Sequence, residues 1–355
     1  MTPKAATSHD PRGLAAARYA KALFSGKDNP ENTLAFVESQ NWRDTPNVAA
    51  ESKAMVDAMT AGANPGLLGP LGVDFSAFIR PLTLVGRMEG FRRVPLRVRL
   101  LTGTGGSTAY WVGEAQPKPI SKQAFDNLVL DPLKVAAICV TTQELLKFSN
   151  PKADETLQDD MKAAAVEAMD LAFIDPLNTG VPGVRPASIT SGATSTPSSG
   201  STITQIDADL KAMVDKLTTA GSNLASAVWI MSPTTAVALS LKRGTGGNPA
   251  YPGVTAKGGE LLGLPVLTTP HMGGDSNGEF IALVDAAAIA MGDEDQAQIS
   301  VSTQGSIQLS DTPTPGSTAV TSLWQTNTAA IKVERFLNWE LRRATFVAVL
   351  SEVAY

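Results

Sequence analysis

The segment Arg92-Arg93-Val94-Pro95-Leu96-Arg97-Val98-Arg99-Leu100 sets Val94, Leu96, Val98 and Leu100 in alternation with Arg93, Arg97 and Arg99. A period of two is the pattern of a strand, so the segment reads as a ribbon with one apolar and one basic face. Gly103, Gly105 and Gly106 within residues 102–107 supply a turn, and residues 108–112 are expected to return as a second strand. Gly113-Glu114-Ala115-Gln116-Pro117-Lys118-Pro119 follows as an irregular tip, which makes residues 91–134 a long β-hairpin. Its apolar side chains have too few neighbours in sequence to form a core of their own. Arg80, Arg87, Arg92, Arg93, Arg97 and Arg99 stand against Glu89, so six cations and one carboxylate leave five net positive charges in this region.

The opposite charge lies downstream. Asn150-Pro151 opens a helix, because Asn accepts from free amides and Pro suits the first helical position. Leu157, Met161, Ala164, Ala168 and Leu171 then fall at helical spacing as one apolar stripe, and Asp175-Pro176 ends the run. At 1.5 Å per residue, the helix over 151–174 is a rod of about 36 Å. Asp154, Glu155, Asp159, Asp160, Glu167, Asp170 and Asp175 against Lys152 and Lys162 leave it with seven minus two, five net negative charges, on an exposed side. A basic hairpin and an acidic rod invite pairing, and a hairpin without a core is better served by docking on a neighbouring chain. Exposed ion pairs stabilise by only about 0–1 kcal/mol each, so such charges set orientation and partner choice.

The rest of the chain alternates helix and strand. Residues 14–24 and 48–59 carry helical patterns separated by Gly- and Pro-containing breaks. Residues 191–204 read as a Ser/Thr/Gly loop, 206–217 as a helix, 227–231 as a buried strand, and Ser232-Pro233 as the start of a helix to Leu241. Residues 244–259 read as a long Gly/Pro loop, 264–267 and 280–284 as strands, and 299–309 and 329–349 as returning strands. The whole is an α+β chain.

Composition excludes several classes. The 355 residues are 43% hydrophobic and 18% charged, which is a folding balance. The 30 Gly, 23 Pro and 6% aromatic residues point to long loops more than to one dense core. A net charge of -5 disfavours tight binding to phosphate backbones, leaving only weak, nonspecific contact with DNA. The single cysteine, Cys139, precludes an intrachain disulfide and reads as a small buried hydrophobe. No apolar run reaches the roughly 20 residues that span a bilayer, and residues 1–10 have no signal-peptide pattern, so neither membrane insertion nor secretion is expected.

Chemistry is sparse. His9 and His271 are the only histidines, too few for a multi-histidine metal site. Gly274-Asp275-Ser276-Asn277-Gly278 fits the G-x-S-x-G elbow of serine hydrolases, with His271 nearby, yet an elbow needs a strand before and a helix after Ser276, and here a loop precedes and a strand follows. Gly103-Thr104-Gly105-Gly106 and Gly244-Thr245-Gly246-Gly247 lack the remainder of any phosphate-cradling motif and read as turns. Asp293-Glu294-Asp295 reads as a solvated turn rather than a cation site. Neither catalysis nor a cofactor is expected.

An ordered set of short motifs adds a resemblance. Phe78-Ile79-Arg80-Pro81, Gly90-Phe91-Arg92-Arg93-Val94-Pro95, Ala109-Tyr110-Trp111-Val112-Gly113-Glu114, Asp170-Leu171-Ala172-Phe173-Ile174-Asp175-Pro176 and Gly259-Glu260-Leu261-Leu262-Gly263-Leu264-Pro265-Val266 resemble, in that order, major capsid proteins of tailed bacteriophages with the Hong Kong 97 fold. The resemblance implies a helical N-terminal region at 1–65, an N-terminal arm at 66–90 and an extended loop at 91–134. It further implies a peripheral domain at 135–205 and 296–355 with a spine helix at 151–174, and an axial α/β domain at 206–295. The loop would lie over a neighbouring subunit, so that Arg92, Arg93, Arg97, Arg99, Trp111, Glu114, Lys118 and Lys122 meet Asp154, Glu155, Asp159, Asp160 and Glu167 of the next spine helix.

Implied partners are copies of the chain in hexamers and pentamers, a portal, a scaffold or maturation protease, cement proteins and packaged double-stranded DNA. The implied location is the virion, assembled in the bacterial cytoplasm. Trp42, Asp44, Thr45 and Pro46 resemble a branch that retains its N-terminal region, so retention is expected. Some members join subunits by a Lys–Asn isopeptide bond assisted by Glu; Lys118 or Lys122 with Asn327 and Glu334 occupy the places to look, although a spacing of seven puts Asn327 and Glu334 on opposite faces of an unbroken strand. An encapsulin-like cellular compartment of the same fold is the nearest alternative, and a hydrolase built on Ser276 a distant one.

Overall fold

The computed structural model describes residues 11–26, 29–40, 42, 48–50, 52–53, 82–103, 111–112, 114, 125–144, 151–244, 246–273, 279–310 and 319–355. In chain order these form helices α1 (Pro11–Gly26), α2 (Pro30–Gln40) and α3 (Leu84–Arg87), then strands β1 (Arg92–Arg93), β2 (Arg99–Gly103), β3 (Phe125–Val129) and β4 (Leu133–Thr142). Helix α4 (Pro151–Ile174) is followed by β5 (Thr194–Pro197), α5 (Ile203–Thr219), β6 (Ala227–Met231) and α6 (Pro233–Leu241). Strands β7 (Val254–Thr255), β8 (Gly258–Leu261), β9 (Leu264–Thr268), β10 (Glu279–Asp285), β11 (Ile289–Ser302), β12 (Ser306–Ile307), β13 (Thr321–Ser322), β14 (Thr328–Leu341) and β15 (Val347–Val353) complete the fold. They pair as a sheet in the order β1-β11-β14-β4, a sheet in the order β5-β15-β10-β6-β9-β8-β7, and the two-stranded ribbons β2-β3 and β12-β13.

The chain divides into two compact units. The first comprises Met1–Arg87, Lys134–Leu171 and Asp295–Phe336. Asn29 caps α2, its side-chain oxygen accepting from the Glu31 amide at 3.0 Å, with Pro30 at the first helical position. Tyr19, Ala22, Leu23 and Val37 from the paired α1 and α2 share a core with Val301 and Ile331, and Phe36 meets Trp42 edge-on at 6.0 Å. Cys139 is half-buried and packs against that core.

The second unit comprises Met88–Leu133, Ala172–Glu294 and Leu337–Tyr355. Its seven-stranded sheet runs β10 antiparallel to β15 and β6, while β9 is parallel to β6 and β5 parallel to β15. All five residues of β6 are buried, as a strand covered on both faces requires. Helix α5 packs on β15 and β10 through Ile206, Leu210, Met213 and Leu217, the i, i+4, i+7, i+11 stripe of an amphipathic helix. Ser232 caps α6 by accepting from the Thr235 amide at 3.0 Å. The Ser232 and Thr235 hydroxyls in turn donate to the Glu279 carboxylate. Burial raises the Glu279 pKa, but those hydrogen bonds outweigh it and hold the group below the usual carboxylate range.

Several expectations are corrected. The alternation over 94–100 is not one strand: β1 ends at Arg93, residues 96–97 turn, and β2 begins at Arg99. Pro95 has no amide to give a ladder, and Arg97 sits at φ 64°, donating its amide to Leu130 O at 2.8 Å. The return strand is β3, not 108–112; the register pairs Arg99 with Val129 and Gly103 with Phe125. Residues 104–110 lie outside the described residues, and Trp111 and Val112 are exposed and not in a strand.

On α4 the expected stripe is rotated. Ala164 and Ala168 are exposed and Leu171 is partly covered, whereas Ala165, Val166, Met169, Ala172, Phe173 and Ile174 are wholly or partly covered, a face displaced by about one residue. The side chains of Leu157 and Met161 lie outside the described residues. Asp170, counted on the outer acidic side, is only 1% exposed and accepts from the Leu84 amide at 2.8 Å.

Residues 191–204 and 244–259 are not unbroken loops, since they hold β5, β7 and the start of β8. Their polar and Gly-rich composition hides the strands because ladder hydrogen bonds are made by backbone alone. Gly258 is required there: at φ 104°, a Cβ would come within 2.4 Å of Val266 O. Residues 293–295 likewise lie inside β11, not in a turn.

Candidate intersubunit surface

Among the described residues, strands β2 and β3 pair only with each other and join no larger sheet. A two-stranded ribbon is at best marginally stable in water, so this one depends on what anchors its base and what covers its length. The base is built. Val94, Leu130 and Ala290 form a small buried cluster with Leu96 against it, and the Val94 amide donates to Met291 O at 2.9 Å. Beside it, Phe173 stands edge-on to Phe91, ring centres 6.2 Å apart, and to Trp339 at 5.3 Å. The Trp339 indole donates to Ala187 O at 2.9 Å, and the Asn338 amide to Asp131 O at 2.7 Å. The root of the ribbon is therefore fixed.

Beyond the root the ribbon presents charge and bare apolar surface. Arg92, Arg93, Arg97 and Arg99 are exposed, and Val98 and Val129 are 45% and 40% exposed. Trp111 is 105% exposed, and Glu114 is exposed in a turn. A fully solvated tryptophan is the kind of side chain that becomes an anchor once a partner covers it. Lys118 and Lys122 lie outside the described residues. On α4, Glu167 is exposed, while the side chains of Asp154, Glu155, Asp159 and Asp160 lie outside the described residues.

The crosslink candidates are placed in part. Asn327 is exposed at φ 51° in the turn before β14 rather than in the strand, so the face argument from a spacing of seven does not apply. Glu334, within β14, accepts from Lys332 at 2.9 Å and Lys134 at 3.0 Å. Those lysines hold its pKa below the ordinary carboxylate value. The carboxylate is thus engaged in an ion triad within its own unit. Ser276 lies outside the described residues; His271 follows β9 in a loop, and β10 comes next. Among the described residues no group of three or more His, Cys, Asp or Glu is placed to hold a metal ion, and no helix is long and apolar enough to cross a membrane.

Arg342 and Arg343 were not anticipated. The Arg342 amide donates to Ala288 O at 2.9 Å, and Arg92 pairs in register with Ala290, so the two arginines flank the start of β11 from opposite sides. The Arg343 guanidinium lies 5.2 Å from the Phe346 ring centre. Burial lowers the Arg342 pKa, and the nearby charges of Arg92 and Arg343 act in the same direction. An Arg-Arg doublet between two alternating runs was the available signal, obscured because residue 92 is so distant in sequence.

Comparison with known proteins places these features in a family. The model of the phage capsid family matches residues 79–345. The chain is 39% identical to a capsid polyprotein of Pseudomonas phage PAJU2 over 96% of its own length, and spans about half, 54%, of that polyprotein. It is 23% identical to a major capsid protein of Klebsiella oxytoca phage phiKO2, covering 86% of this chain and 74% of that one. Among solved structures, that of Mycobacterium phage Adephagia superposes with a TM-score of 0.56 at 14% identity, covering 84% of this chain and 98% of the other. At that identity the likeness bears on fold alone.

Proposed function

Because the chain belongs to the phage capsid family, with the Hong Kong 97-like α+β fold of phage capsids, we propose that it is the head subunit that closes an icosahedral shell as hexamers and pentamers around packaged double-stranded DNA. One observation carries the reading: the β2-β3 ribbon has a fixed root, joins no larger sheet among the described residues, and leads to a bare tryptophan, so another copy completes its stability. In this reading residues 91–134 are the extended loop, α4 is the spine helix, and residues 206–295 form the axial lobe. Arg92, Arg93, Arg97, Arg99, Trp111, Glu114, Lys118 and Lys122 face a neighbour, whose α4 offers Asp154, Glu155, Asp159, Asp160 and Glu167.

The work is mechanical containment, with no chemical step. The balance of -5 suits a container that must not trap DNA during filling, so contact with DNA is weak and nonspecific. A portal, a scaffold or maturation protease and cement proteins are the further partners proposed, with assembly in the bacterial cytoplasm and residence in the virion. The phage sources of the relatives support a virion over an encapsulin-like compartment. The engagement of Glu334 with Lys134 and Lys332 argues against an isopeptide crosslink through Asn327.

Electron microscopy of the purified full chain tests the proposal. Closed particles of uniform diameter are the expected result. A chain that stays monomeric across salt, pH and concentration would overturn it.

A further inference from the structure

We propose that Leu262, at the tip of the β8-β9 hairpin, is an anchor that a second copy of the chain covers with its loop 177–185. The inference rests on the shell reading and adds to it a contact that does not involve the ribbon. Leu262 and Gly263 join β8 to β9 with φ of 53° and 78°, so both central residues of the hairpin turn are left-handed. Gly, Asn and Asp suit such a turn, whereas the Cβ of a leucine there crowds its own backbone. Among the described residues one other leucine takes this conformation, Leu224 at φ 58°, and its side chain packs on the core of the seven-stranded sheet. The strain at Leu224 is thus offset within the chain. Leu262 is instead 61% exposed, and a Cβ at Gly263 would meet no atom within 4 Å, so the turn projects into open space. A strained backbone persists where its surroundings compensate for it, and at Leu262 that compensation has to come from another molecule.

The same sheet supplies the partner surface. One row of the register runs through Thr194, Ala348, Leu283, Trp229, Val266 and Gly259, across β5, β15, β10, β6, β9 and β8. Strands β5 and β9 point the same way, since β5 is parallel to β15, β9 is parallel to β6, and β15 and β6 are both antiparallel to β10. The turn before β9 and the loop before β5 therefore lie at one end of the sheet, toward opposite edges. That loop carries Leu177, Val181 and Val184, all exposed. It is also stiff. Buried Asn178 donates to Ala172 O at 2.8 Å and Pro186 O at 3.0 Å and accepts from the Gly180 amide at 3.1 Å, while the Val181 amide donates to Arg185 O at 2.8 Å. An apolar surface held in shape in advance loses little freedom when it is covered. Five strand spacings, roughly 24 Å, separate β5 from β8, so knob and loop do not meet in one copy. They meet head-to-tail between copies, the heterologous contact that closes rings. A foreign protein would use only one of the two features, whereas a copy uses both.

The test uses the full chain carrying Leu262→Asn, and separately Leu262→Lys and Val184→Asp, each alone and the two together. Sedimentation separates assembled from free protein, and thermal melting of free subunits reports folding. Asn suits the left-handed turn, so Leu262→Asn is expected to raise the melting temperature of the free subunit by about 2–4 °C while lowering the assembled fraction about tenfold or more. A residue with a purely structural role would not give that opposed pair. Leu262→Lys and Val184→Asp are each expected to lower assembly, and the combined variant to recover part of it, because an ion pair replaces the apolar contact. Unchanged assembly of Leu262→Asn, or a lowered melting temperature, would overturn the anchor while the shell reading stands. If Leu262→Lys fails to assemble but Val184→Asp assembles as wild type, or the combined variant is no better than the single ones, another surface covers Leu262 and the proposed contact is wrong. If wild-type chains form no particles, the shell reading itself fails and the contact falls with it.

Discussion

Phe173→Ala is expected to destabilise the second unit by about 3–5 kcal/mol, close to the whole stability of many domains. The ring is fully buried and stands edge-on to both Phe91 and Trp339. Truncation removes the transfer energy of the ring, leaves a cavity, and forfeits two aromatic contacts worth roughly 0.5–1.5 kcal/mol each. The consequence is not confined to stability. Phe91 precedes the ribbon directly and Trp339 holds Ala187 through its indole, so the root of the ribbon loosens with the core. Denaturant unfolding of free subunits would read the loss as a lowered midpoint. Phe173→Leu, which keeps much of the volume, should lose less than half as much. A midpoint unmoved by the alanine would refute the packing described.

Trp229→Ala is expected to cost a similar 3–5 kcal/mol and to yield mostly insoluble protein. Trp229 is fully buried on β6, with β10 on one side and β9 on the other, and lies in one core with Leu210, Met213, Ile281 and Leu283. Its indole donates to Leu261 O at 3.1 Å, tying the β8-β9 hairpin to the middle of the sheet. Two variants separate packing from that hydrogen bond. Trp229→Phe keeps an aromatic ring but removes the donor, and should cost about 1–3 kcal/mol, the range for a buried polar group deprived of its partner. Equal losses for the two variants would mean that the bond, not the volume, holds this region. Soluble yield and the denaturant midpoint read both.

The elements that local chemistry specifies were legible in the sequence. Helix α4 spans the residues that Pro151 and Pro176 bracket, and Ser232-Pro233 opens α6 as a capping pair should. Strand β6 is buried on both faces, as its run of large apolar residues implies. Elements made by distant backbone were not legible. Thr194–Pro197 has no apolar alternation and ends in Pro, and it becomes β5 because β15 offers it a parallel ladder. The face of α4 was misjudged by about one residue, because apolar residues at helical spacing occur on two adjacent faces: Ala165, Met169, Ala172 and Phe173 are covered, while Ala164 and Ala168 are not and Leu171 is covered only in part. Asp170 was read as surface charge because nothing nearby in sequence signals the Leu84 amide that it accepts.

The same division holds for the candidate surface. The basic character of the ribbon was plain from Arg93, Arg97 and Arg99. Its course was not, since Pro95 and the left-handed Arg97 break what alternation presents as continuous. The pairing of Arg92 with Ala290 is a parallel bridge between β1 and β11, a contact across roughly 200 residues that no local pattern encodes.

The account depends most on the ribbon being completed by another copy of the chain. Amide hydrogen exchange over residues 99–103 and 125–129, measured on free subunits and on assembled particles, addresses it directly. Fast exchange in the free chain and strong protection in the particle are predicted, while β6 is protected in both. Equal, strong protection of the ribbon in the two states would contradict it, because the ribbon would then be complete within a single chain.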